Sequence, residues 1–195
     1  MSLSEQALNQ LFTQAHTAYE FHDKPVSQQL LQQIYELTKY APTSMNTQPA
    51  RYVFVQSPAA KERLLGCLNP GNVDKTRTAP VTVIIANDTH FYEHLPVMFP
   101  QRPDANKLYA DNAALASATA MRNGSLSGAY FIMAARALGL NCGPMSGFDA
   151  AKVNAEFFPD GRWQVNFLLN LGYADVSKNH PRNPRLTFEQ ACSLI

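Results

Sequence analysis

The chain has 195 residues, 46% of them hydrophobic, which is long enough for one sizeable core and short for two, so one domain spanning residues 1–195 is expected. Charged residues make up 16% and the formal net charge is +1, which gives no electrostatic reason to expect nucleic acid or an anionic membrane as a partner. Three scattered cysteines indicate neither a disulfide framework nor a structural zinc site, and without a leader-like start or a long apolar run a cytoplasmic protein is expected.

The first predicted element is an amphipathic helix that ends near Ala18. Ser2 to Glu5 has the spacing of a capping box, and apolar side chains then recur at helical spacing, as Leu8, Leu11, Phe12 and Ala15. A second helix is predicted from about Ser27 to just before Pro42, because the residue ahead of a proline avoids the helical conformation. Its predicted inner side consists of Leu30, Leu31, Ile34, Leu37 and Thr38.

Two strands and a helix are predicted next. Residues 51–56 are rich in β-branched and aromatic side chains, which indicates a strand. Ser57 followed by Pro58 then predicts the start of a helix that runs to about Leu68. Val81 to Ala86 is an unbroken apolar run, which is typical of a strand buried on both faces.

The regular pattern fails between Thr89 and Lys107, where three prolines lie among aromatic residues. This predicts a long functional loop, such as a lid. Residues 111–138 are almost without charge, so they predict a helix that is buried nearly all round and ends at Gly139. Gly124 and Gly128 lie on this helix, where either close contact with another helix or local packing would explain them.

The C-terminal part of the chain predicts three further elements. Asp149 can cap a short helix that runs to about Phe157, and residues 164–172 indicate another buried strand. Thr187 to Gln190 has capping-box spacing for a last short helix. Strands separated by helices predict a three-layer α/β arrangement, for which the pattern alone suggests a parallel sheet.

The stretch from Ala41 to Pro49 places hydroxyl and carboxamide side chains between prolines, where a helix ends and a strand begins. Carboxamides offer donor and acceptor together, which suits a flat ligand whose edge alternates carbonyl oxygens and ring nitrogens. The alternative interpretation is structural: Pro42 stops the helix, and Thr43, Ser44 and Asn46 cap turns. From these residues alone, both interpretations stay open.

The same stretch resembles the A-P-S-S-x-N-x-Q-P segment of the nitroreductase family, with Thr43 in place of the first serine. A second agreement is Asn72-Val-Asp-Lys75, and a third is Gly143 to Phe148, in the place of a loop containing glycine and proline. Order and spacing agree from about Ala7 to about Arg185. Within the family, the chain is most similar to the malonic semialdehyde reductases of pyrimidine degradation, through residues 143–148, 49–51 and 184–186.

The resemblance implies an α+β fold of nitroreductase type, with a mixed and mostly antiparallel sheet flanked by helices. It also implies a homodimer with shared active sites, FMN as cofactor and NADH or NADPH as hydride donor. The implied reaction is a ping-pong hydride transfer through flavin N5 that reduces malonic semialdehyde to 3-hydroxypropanoate. The alternatives are a broad nitroaromatic or quinone reductase, a flavin-binding module and a flavin-consuming lyase.

Most of the implied flavin-binding residues surround the ring. Lys75 would lie at the N1 side, where a cation stabilises the anionic reduced flavin, and the loop of Pro42 would come from the partner subunit. The implied ring-binding residues are Pro42, Thr43, Ser44, Asn46, Asn72, Lys75, Pro144, Met145, Ser146 and Gly147. No side chain is implied to be catalytic, because the flavin itself performs the hydride chemistry.

The implied phosphate-binding residues are His16, Thr17, Arg182 and Arg185. The family usually carries a further arginine near the N-terminus, where this chain has Ala15, so half of the usual phosphate clamp is missing. A substrate with a terminal carboxylate also needs a cation, and Arg51, Arg102 and Lys107 are the candidates.

Other catalytic motifs are weak or absent. His90-Phe-Tyr-Glu93-His94 matches the H-x-x-E-H signature of zinc hydrolases, but Pro96 follows at once and no further ligand is evident, so no metal site is expected. There is neither a Walker A loop nor a strand-borne G-x-G-x-x-G, and Cys142 lacks a defined histidine partner.

Overall fold

A computed structural model describes residues 2–195, in which one four-stranded sheet is flanked by helices. The strands are β1 (Ala50–Val55), β2 (Val81–Asp88), β3 (Asn141–Met145) and β4 (Trp163–Gly172). The helices are α1 (Glu5–Leu8), α2 (Gln28–Thr38), α3 (Pro58–Leu65), α4 (Pro70–Thr78), α5 (Leu95–Met98), α6 (Ala105–Ala110), α7 (Ala113–Ala137), α8 (Ala150–Phe157) and α9 (Phe188–Ala191). One π-helical turn, Asn9–Thr13, and three 3-10 turns, Ser44–Asn46, Phe91–His94 and Val176–Lys178, complete the elements.

The sheet has the order β1-β2-β4-β3, and its three ladders are antiparallel. The parallel sheet suggested by the pattern is therefore wrong, and the mostly antiparallel sheet implied by the resemblance is confirmed. A parallel bridge joins Thr17 to Cys142 at the outer edge of β3. The pattern misled because β2 is buried along its whole length, and an apolar run of this kind is common in parallel sheets.

The predicted three layers are confirmed by two apolar cores on opposite faces of the sheet. On one face, Ile34 of α2 and Phe131 of α7 pack against Val83 and Ile85 of β2. On the other face, Leu64 of α3 and Val153 of α8 pack against Ile84. Neighbouring residues of β2 therefore alternate between the two cores, as the geometry of a strand requires.

The first helix is shorter than predicted. Its N-cap is Ser4, which accepts a hydrogen bond from the backbone N–H of Ala7, and it continues past Leu8 only as a π-helical turn that ends at Thr13. Extension to Ala18 is wrong, because Thr17 already pairs with β3. The second helix begins after Ser27 as predicted, but its residue Leu37 is 47% exposed rather than on the inner side.

The segment between β2 and α7 is a set of short helical turns rather than the predicted long loop. Pro96 lies in the first turn of α5, where a proline is tolerated, so it does not break helical structure there. Phe91, Leu95, Ala105 and Tyr109 form a small core together with residues of α7. The aromatic residues of this segment are therefore used for packing.

The long helix α7 ends at Ala137, and Gly139 follows with a φ of 83°, so its predicted extent is confirmed. Its two internal glycines face the sheet and not another helix. A Cβ on Gly128 would lie 2.6 Å from the ring of Phe167, and one on Gly124 would overlap the side chain of Asn87. Its outer face exposes Met121, Leu126 and Tyr130, so burial nearly all round is wrong for a single chain.

Residues 141–145 form strand β3, so the stretch from Gly143 is a strand in its first half and a loop only afterwards. Asn72 and Lys75 lie in a helix, α4, which was not predicted. The remaining elements α3, α8, β4 and α9 are confirmed, α9 with its capping box at Thr187.

Cys67 and Cys142 are buried thiols and Cys192 is exposed. Within residues 2–195, no helix has the length and apolarity needed to cross a membrane.

Candidate functional site

A cavity of about 370 Å³ lies between the N-terminal segment, the end of α7 and the C-terminal tail. The N-terminal segment contributes His16 and Thr17 to its lining, and the C-terminal tail contributes Arg182 and Arg185. The structure thus brings together the four residues that were predicted to hold a phosphate. The cavity, here called the basic pocket, is lined by Phe12, Ala15, His16, Thr17, Tyr19, Arg136, His180, Pro181, Arg182, Asn183 and Arg185.

Backbone contacts with β3 position the N-terminal wall of the basic pocket. Thr17 bridges to Cys142, and the backbone N–H of Ala18 donates to the carbonyl of Cys142 at 2.9 Å. Gly143 permits this approach, since a Cβ there would lie 2.8 Å from the carbonyl oxygen of Ala18. Arg182 joins the two walls, because its Nη2 donates to the carbonyls of Thr13 at 2.7 Å and Ala15 at 2.9 Å.

Arg136, in the last turn of α7, also lines the basic pocket and was not predicted. Its Nη1 donates to the carbonyl of Leu11 at 3.0 Å. A basic residue in the last turn of a helix is common, since it offsets the negative end of the helix dipole. The sequence therefore gave no signal that distinguished this arginine from an ordinary helix end.

The cations of the basic pocket have no acidic partner. No carboxylate is among the lining residues, and none of the ion pairs formed within residues 2–195 uses Arg136, Arg182 or Arg185. All three guanidinium groups donate to backbone carbonyls instead. Unpaired guanidinium groups in one cavity favour the binding of an anion, and phosphate fits their fork of donors best.

Lys75 lies next to the basic pocket, because it approaches the ring of Tyr19, which lines the pocket. Its Nζ is 5.4 Å from the centre of that ring, and the same ring makes an edge contact with His180. Burial lowers the pKa of Lys75 below its ordinary value, because the charged form is partly desolvated. Nearby negative charge would stabilise the protonated amine.

The second and third predicted motifs are in direct contact. The Nδ2 of Asn72 donates to the carbonyl of Gly147 at 2.7 Å, and the backbone N–H of Asn69 donates to the same carbonyl at 3.1 Å. A side chain at Gly147 would overlap Asn72. Asn72, Lys75 and the loop of Gly147 therefore belong to one surface, with Pro144 and Met145 leading into it from β3.

A buried polar chain fixes α4 on the sheet beneath this surface. Thr82 donates to Asn170 at 2.9 Å, Asn170 donates to Thr76 at 3.0 Å, and Thr76 points to the sulfur of Met145 at 3.7 Å. The side chains of Thr76, Thr82 and Asn170 are fully buried. Because buried polar groups are costly unless they are paired, this chain holds the helix that carries Lys75 in one position.

The loop that contains Pro42, Thr43, Ser44 and Asn46 lies elsewhere, against the middle of α7. The backbone N–H of Ser44 donates to Asn123 at 2.9 Å, and the Nδ2 of Asn46 donates to the carbonyl of Met98 at 2.8 Å. Its backbone has positive φ at three residues that are not glycine, Met45 (50°), Asn46 (52°) and Gln48 (41°). Such conformations cost of order 1–3 kcal/mol each, and they are concentrated at functional sites.

The structure does not bring this loop to the basic pocket within one chain. Asn123 and Arg136 lie on the same helix, and a rise of 1.5 Å per residue places them about 20 Å apart along its axis. One chain therefore contains the predicted ring-binding loop and the predicted phosphate pocket at separate places.

The three predicted substrate cations are also separate. Arg51 forms an ion pair of 2.6 Å with Asp88 and donates to the carbonyls of Gln48 and Ala50. Arg102 and Lys107 are exposed, and Arg102 lies 3.8 Å from Asp104. Arg51 lines a second cavity of about 230 Å³ beside Gln48, but neither Arg102 nor Lys107 lines it.

Asp88 is the centre of a cluster that neutralises Arg51. Its side chain is 2% exposed and also accepts a hydrogen bond of 2.6 Å from Arg162, which in turn pairs with Glu93 at 2.9 Å. Burial opposes ionisation of Asp88, but the hydrogen bonds from Arg162 and the backbone of His90, with the charge of Arg51, hold its pKa below the ordinary value.

Glu93 of the H-x-x-E-H match forms an ion pair with Arg162. Within residues 2–195 no three His, Cys, Asp or Glu side chains are grouped to hold a metal ion.

Comparison with known proteins gives a match to the family model described as "Nitroreductase family", over residues 13–173. A protein of Ralstonia nicotianae, provisionally named NADH dehydrogenase/NAD(P)H nitroreductase, is 57% identical over 100% of this chain and 99% of its own. A protein of Polynucleobacter asymbioticus with the same provisional name is 58% identical over 99% of this chain and 98% of its own. Both alignments extend beyond the family match and include the tail with Arg182 and Arg185.

Among solved structures, the fold is similar to a nitroreductase-like protein from Exiguobacterium sibiricum, determined in complex with FMN. The TM-score is 0.87 at 17% identity, and the alignment covers 100% of this chain and 99% of that chain. This likeness confirms the fold predicted from the resemblance.

Proposed function

This chain belongs to the nitroreductase family, and we propose that it is a homodimeric, FMN-dependent NAD(P)H oxidoreductase. The observation that carries the proposal is the basic pocket, in which three arginines without acidic partners lie next to Lys75. A pocket for a phosphate beside a half-buried lysine fits a flavin mononucleotide, because its phosphate and its ring need cations at two separate points.

The residues present fit FMN at both ends. His16, Thr17, Arg182 and Arg185 would hold the phosphate, and Lys75 and Asn72 would face the polar edge of the ring. Gly147, which has no room for a side chain, would let the backbone approach the ring closely. FMN, when bound, supplies the hydride chemistry, taking a hydride equivalent from NADH or NADPH and passing it to an oxidised substrate.

The chain's own contribution to this chemistry is electrostatic. Burial lowers the pKa of Lys75 because it disfavours the charged amine, and negative charge that develops nearby would act in the opposite direction and stabilise the charged form. A fixed cation of this kind is most effective where water is excluded. The buried chain of Thr76, Asn170 and Thr82 keeps the helix that carries Lys75 in place, which reduces reorganisation of this helix during the reaction.

A homodimer would bring the separated parts of the site together. The loop of Ser44 lies about 20 Å along α7 from Arg136, and the outer face of α7 exposes Met121, Leu126 and Tyr130. Large apolar side chains that are exposed along one helix favour association of two chains. The loop of one chain would then complete the flavin site of the other.

The homodimer is tested by sedimentation of the protein with bound FMN. We expect one FMN per chain in the dimer fraction, because each site needs residues from both chains. Monomeric protein that holds stoichiometric FMN would contradict the shared site.

As the substrate we propose malonic semialdehyde, which would be reduced to 3-hydroxypropanoate. The support is the likeness of residues 143–148 and 184–186 to the reductases of this compound. Nitroaromatics and quinones are the second candidate. They are favoured by the neutralisation of Arg51 by Asp88, since an apolar acceptor needs no cation in the pocket.

A substrate panel followed at constant bound FMN separates the candidates. Anaerobic addition of NADPH or NADH should first bleach the flavin, and a protein that binds FMN without bleaching is a binding module. Malonic semialdehyde should then reoxidise the flavin faster than a neutral quinone. If Arg102→Gln and Lys107→Gln both treat the two acceptors alike and the wild type prefers quinones, the protein is a general nitro and quinone reductase.

A further inference from the structure

Arg136 has no role in the resemblance, yet it is one of two arginines on a helix that otherwise lacks charge. Arg122 is exposed, whereas Arg136 is partly buried and lines the basic pocket beside Ala15 and His16. The two arginines share the same helix and the same chemistry. Only one of them faces the candidate phosphate site.

The guanidinium of Arg136 is held in place but is not saturated. Its Nη1 donates to the carbonyl of Leu11. The backbone carbonyl of Arg136 accepts a hydrogen bond of 2.7 Å from Gln10, which ties the end of α7 to the same N-terminal segment. A guanidinium carries five N–H donors in a rigid fork, so most of the donors of Arg136 remain for a ligand. A side chain anchored at one nitrogen also loses little entropy when it binds.

Ala15 makes the charge of Arg136 important. The side chain of Ala15 is only a methyl group, and the backbone carbonyl of Ala15 already accepts a hydrogen bond from Arg182. On the N-terminal wall, the polar side chains that line the pocket are His16, Thr17 and Tyr19, none of which is a fixed cation. Arg136 is therefore the fixed cation that α7 contributes to the pocket.

We propose that Arg136 directly binds the phosphate of FMN and supplies the charge that Ala15 lacks. This rests on the proposed function, because it concerns the same cofactor. The phosphate is then held by Arg136 on α7 and by Arg182 and Arg185 on the exposed tail. The competing role for Arg136 is structural, through the dipole of α7 and the carbonyl of Leu11.

The test is a fluorescence titration of the flavin-free, full-length protein with FMN and with riboflavin, which lacks the phosphate. Arg136→Gln should weaken FMN binding roughly 10- to 100-fold, as expected for the loss of a charge-assisted contact, and should change riboflavin binding less than about twofold. Arg136→Lys should recover part of the FMN affinity, since it keeps the charge and loses the fork. Arg122→Gln, on the same helix, should bind both flavins as the wild type does.

Two results would overturn the proposal. Equal loss of FMN and riboflavin affinity in Arg136→Gln would show a structural role, and unchanged FMN affinity in Arg136→Gln would show no role. Thermal shifts with inorganic phosphate separate this proposal from the proposed function. If the titration detects no flavin binding, the FMN function is contradicted. If phosphate nevertheless stabilises the wild type and Arg122→Gln but not Arg136→Gln, the anion site at Arg136 stands.

Discussion

The two groups of arginines in this protein differ in what lies opposite them. Arg51 and Arg162 converge on the buried carboxylate of Asp88, so their charges are compensated within the chain. Arg136, Arg182 and Arg185 converge on a cavity and donate only to backbone carbonyls. Carbonyls position a guanidinium but do not neutralise it.

Arginine therefore has different roles in the two groups. A compensated arginine stabilises the fold, and its removal leaves a buried charge without a partner. An uncompensated arginine is repelled by its neighbours until an anion binds, so its removal costs affinity more than stability. Arg51, which the sequence suggested as a substrate ligand, is in the first group.

The largest effect that we expect follows from Asp88→Asn. This change leaves Arg51 and Arg162 without their shared partner and should lower the free energy of unfolding by about 3 kcal/mol. Urea denaturation of the purified protein measures it. As a control, Glu156→Gln removes the exposed partner of Arg63 and should cost about 1 kcal/mol or less. Equal costs for the two variants would remove the distinction between the two groups.

Arg185→Ala tests the other group. It should weaken FMN binding roughly 10- to 100-fold and riboflavin binding much less, because a charge-assisted contact to phosphate is worth about 1.5–3 kcal/mol. The free energy of unfolding of the flavin-free protein should be nearly unchanged, since Arg185 has no acidic partner. Equal weakening of both flavins in a fluorescence titration would place Arg185 away from the phosphate. Arg77→Ala, which removes an exposed ion pair with Glu62, is the matched control.

The same comparison extends to two lysines whose pKa values are lowered by burial. Lys61 donates to the carbonyl of Ala79, whereas Lys75 lies beside Tyr19 next to the basic pocket. Lys75→Met should slow the reduction of bound flavin by NADPH about tenfold and weaken FMN binding less, because its charge matters most as negative charge develops. Stopped-flow bleaching measures the rate, and Lys61→Met should leave it unchanged. An unchanged rate for Lys75→Met at full FMN occupancy would contradict the role.

The smallest expected effect is on the free energy of unfolding at acidic pH. The pKa of Asp88 is lower in the folded protein than in the unfolded chain, so the unfolded chain binds more protons as the pH falls below about 4. The stabilisation by Asp88 is complete above its unfolded pKa and is lost as the pH falls through its folded pKa. Denaturation between pH 6 and pH 3 should therefore show a shallower loss of stability for Asp88→Asn than for the wild type. Parallel curves would mean that other carboxylates dominate acid unfolding.

Local chemistry predicted much of the fold. The caps at Ser27, Ser57, Asp149 and Thr187 marked helix starts correctly, because a cap depends on a few neighbouring residues. The hydrophobic pattern did not predict that the sheet is antiparallel. Strand β2 is buried on both faces, and fully buried apolar strands are typical of parallel sheets. The short helices after β2 were missed because Phe91 and Tyr109 pack on each other, which is a tertiary contact.

The candidate site shows the same limit. Motifs identified the residues around Lys75 and Gly147, and the structure places Asn72 against Gly147. The neutralisation of Arg51 was not predictable, because Asp88 and Arg162 are distant in sequence and meet only in the folded sheet. Arg136 was missed for the corresponding reason, since it reaches the pocket only because α7 ends beside the N-terminal segment.

The three thiols provide a way to follow the C-terminal tail. Burial raises the pKa of the Cys142 thiol to about 12 and also raises that of Cys67, so both stay protonated and shielded at neutral pH. Cys192 is exposed near the end of the tail that carries Arg182 and Arg185. A maleimide-linked spin label should therefore modify Cys192 alone in the native sequence. In a dimer, the distance between two such labels reports where each tail lies, without any engineered cysteine.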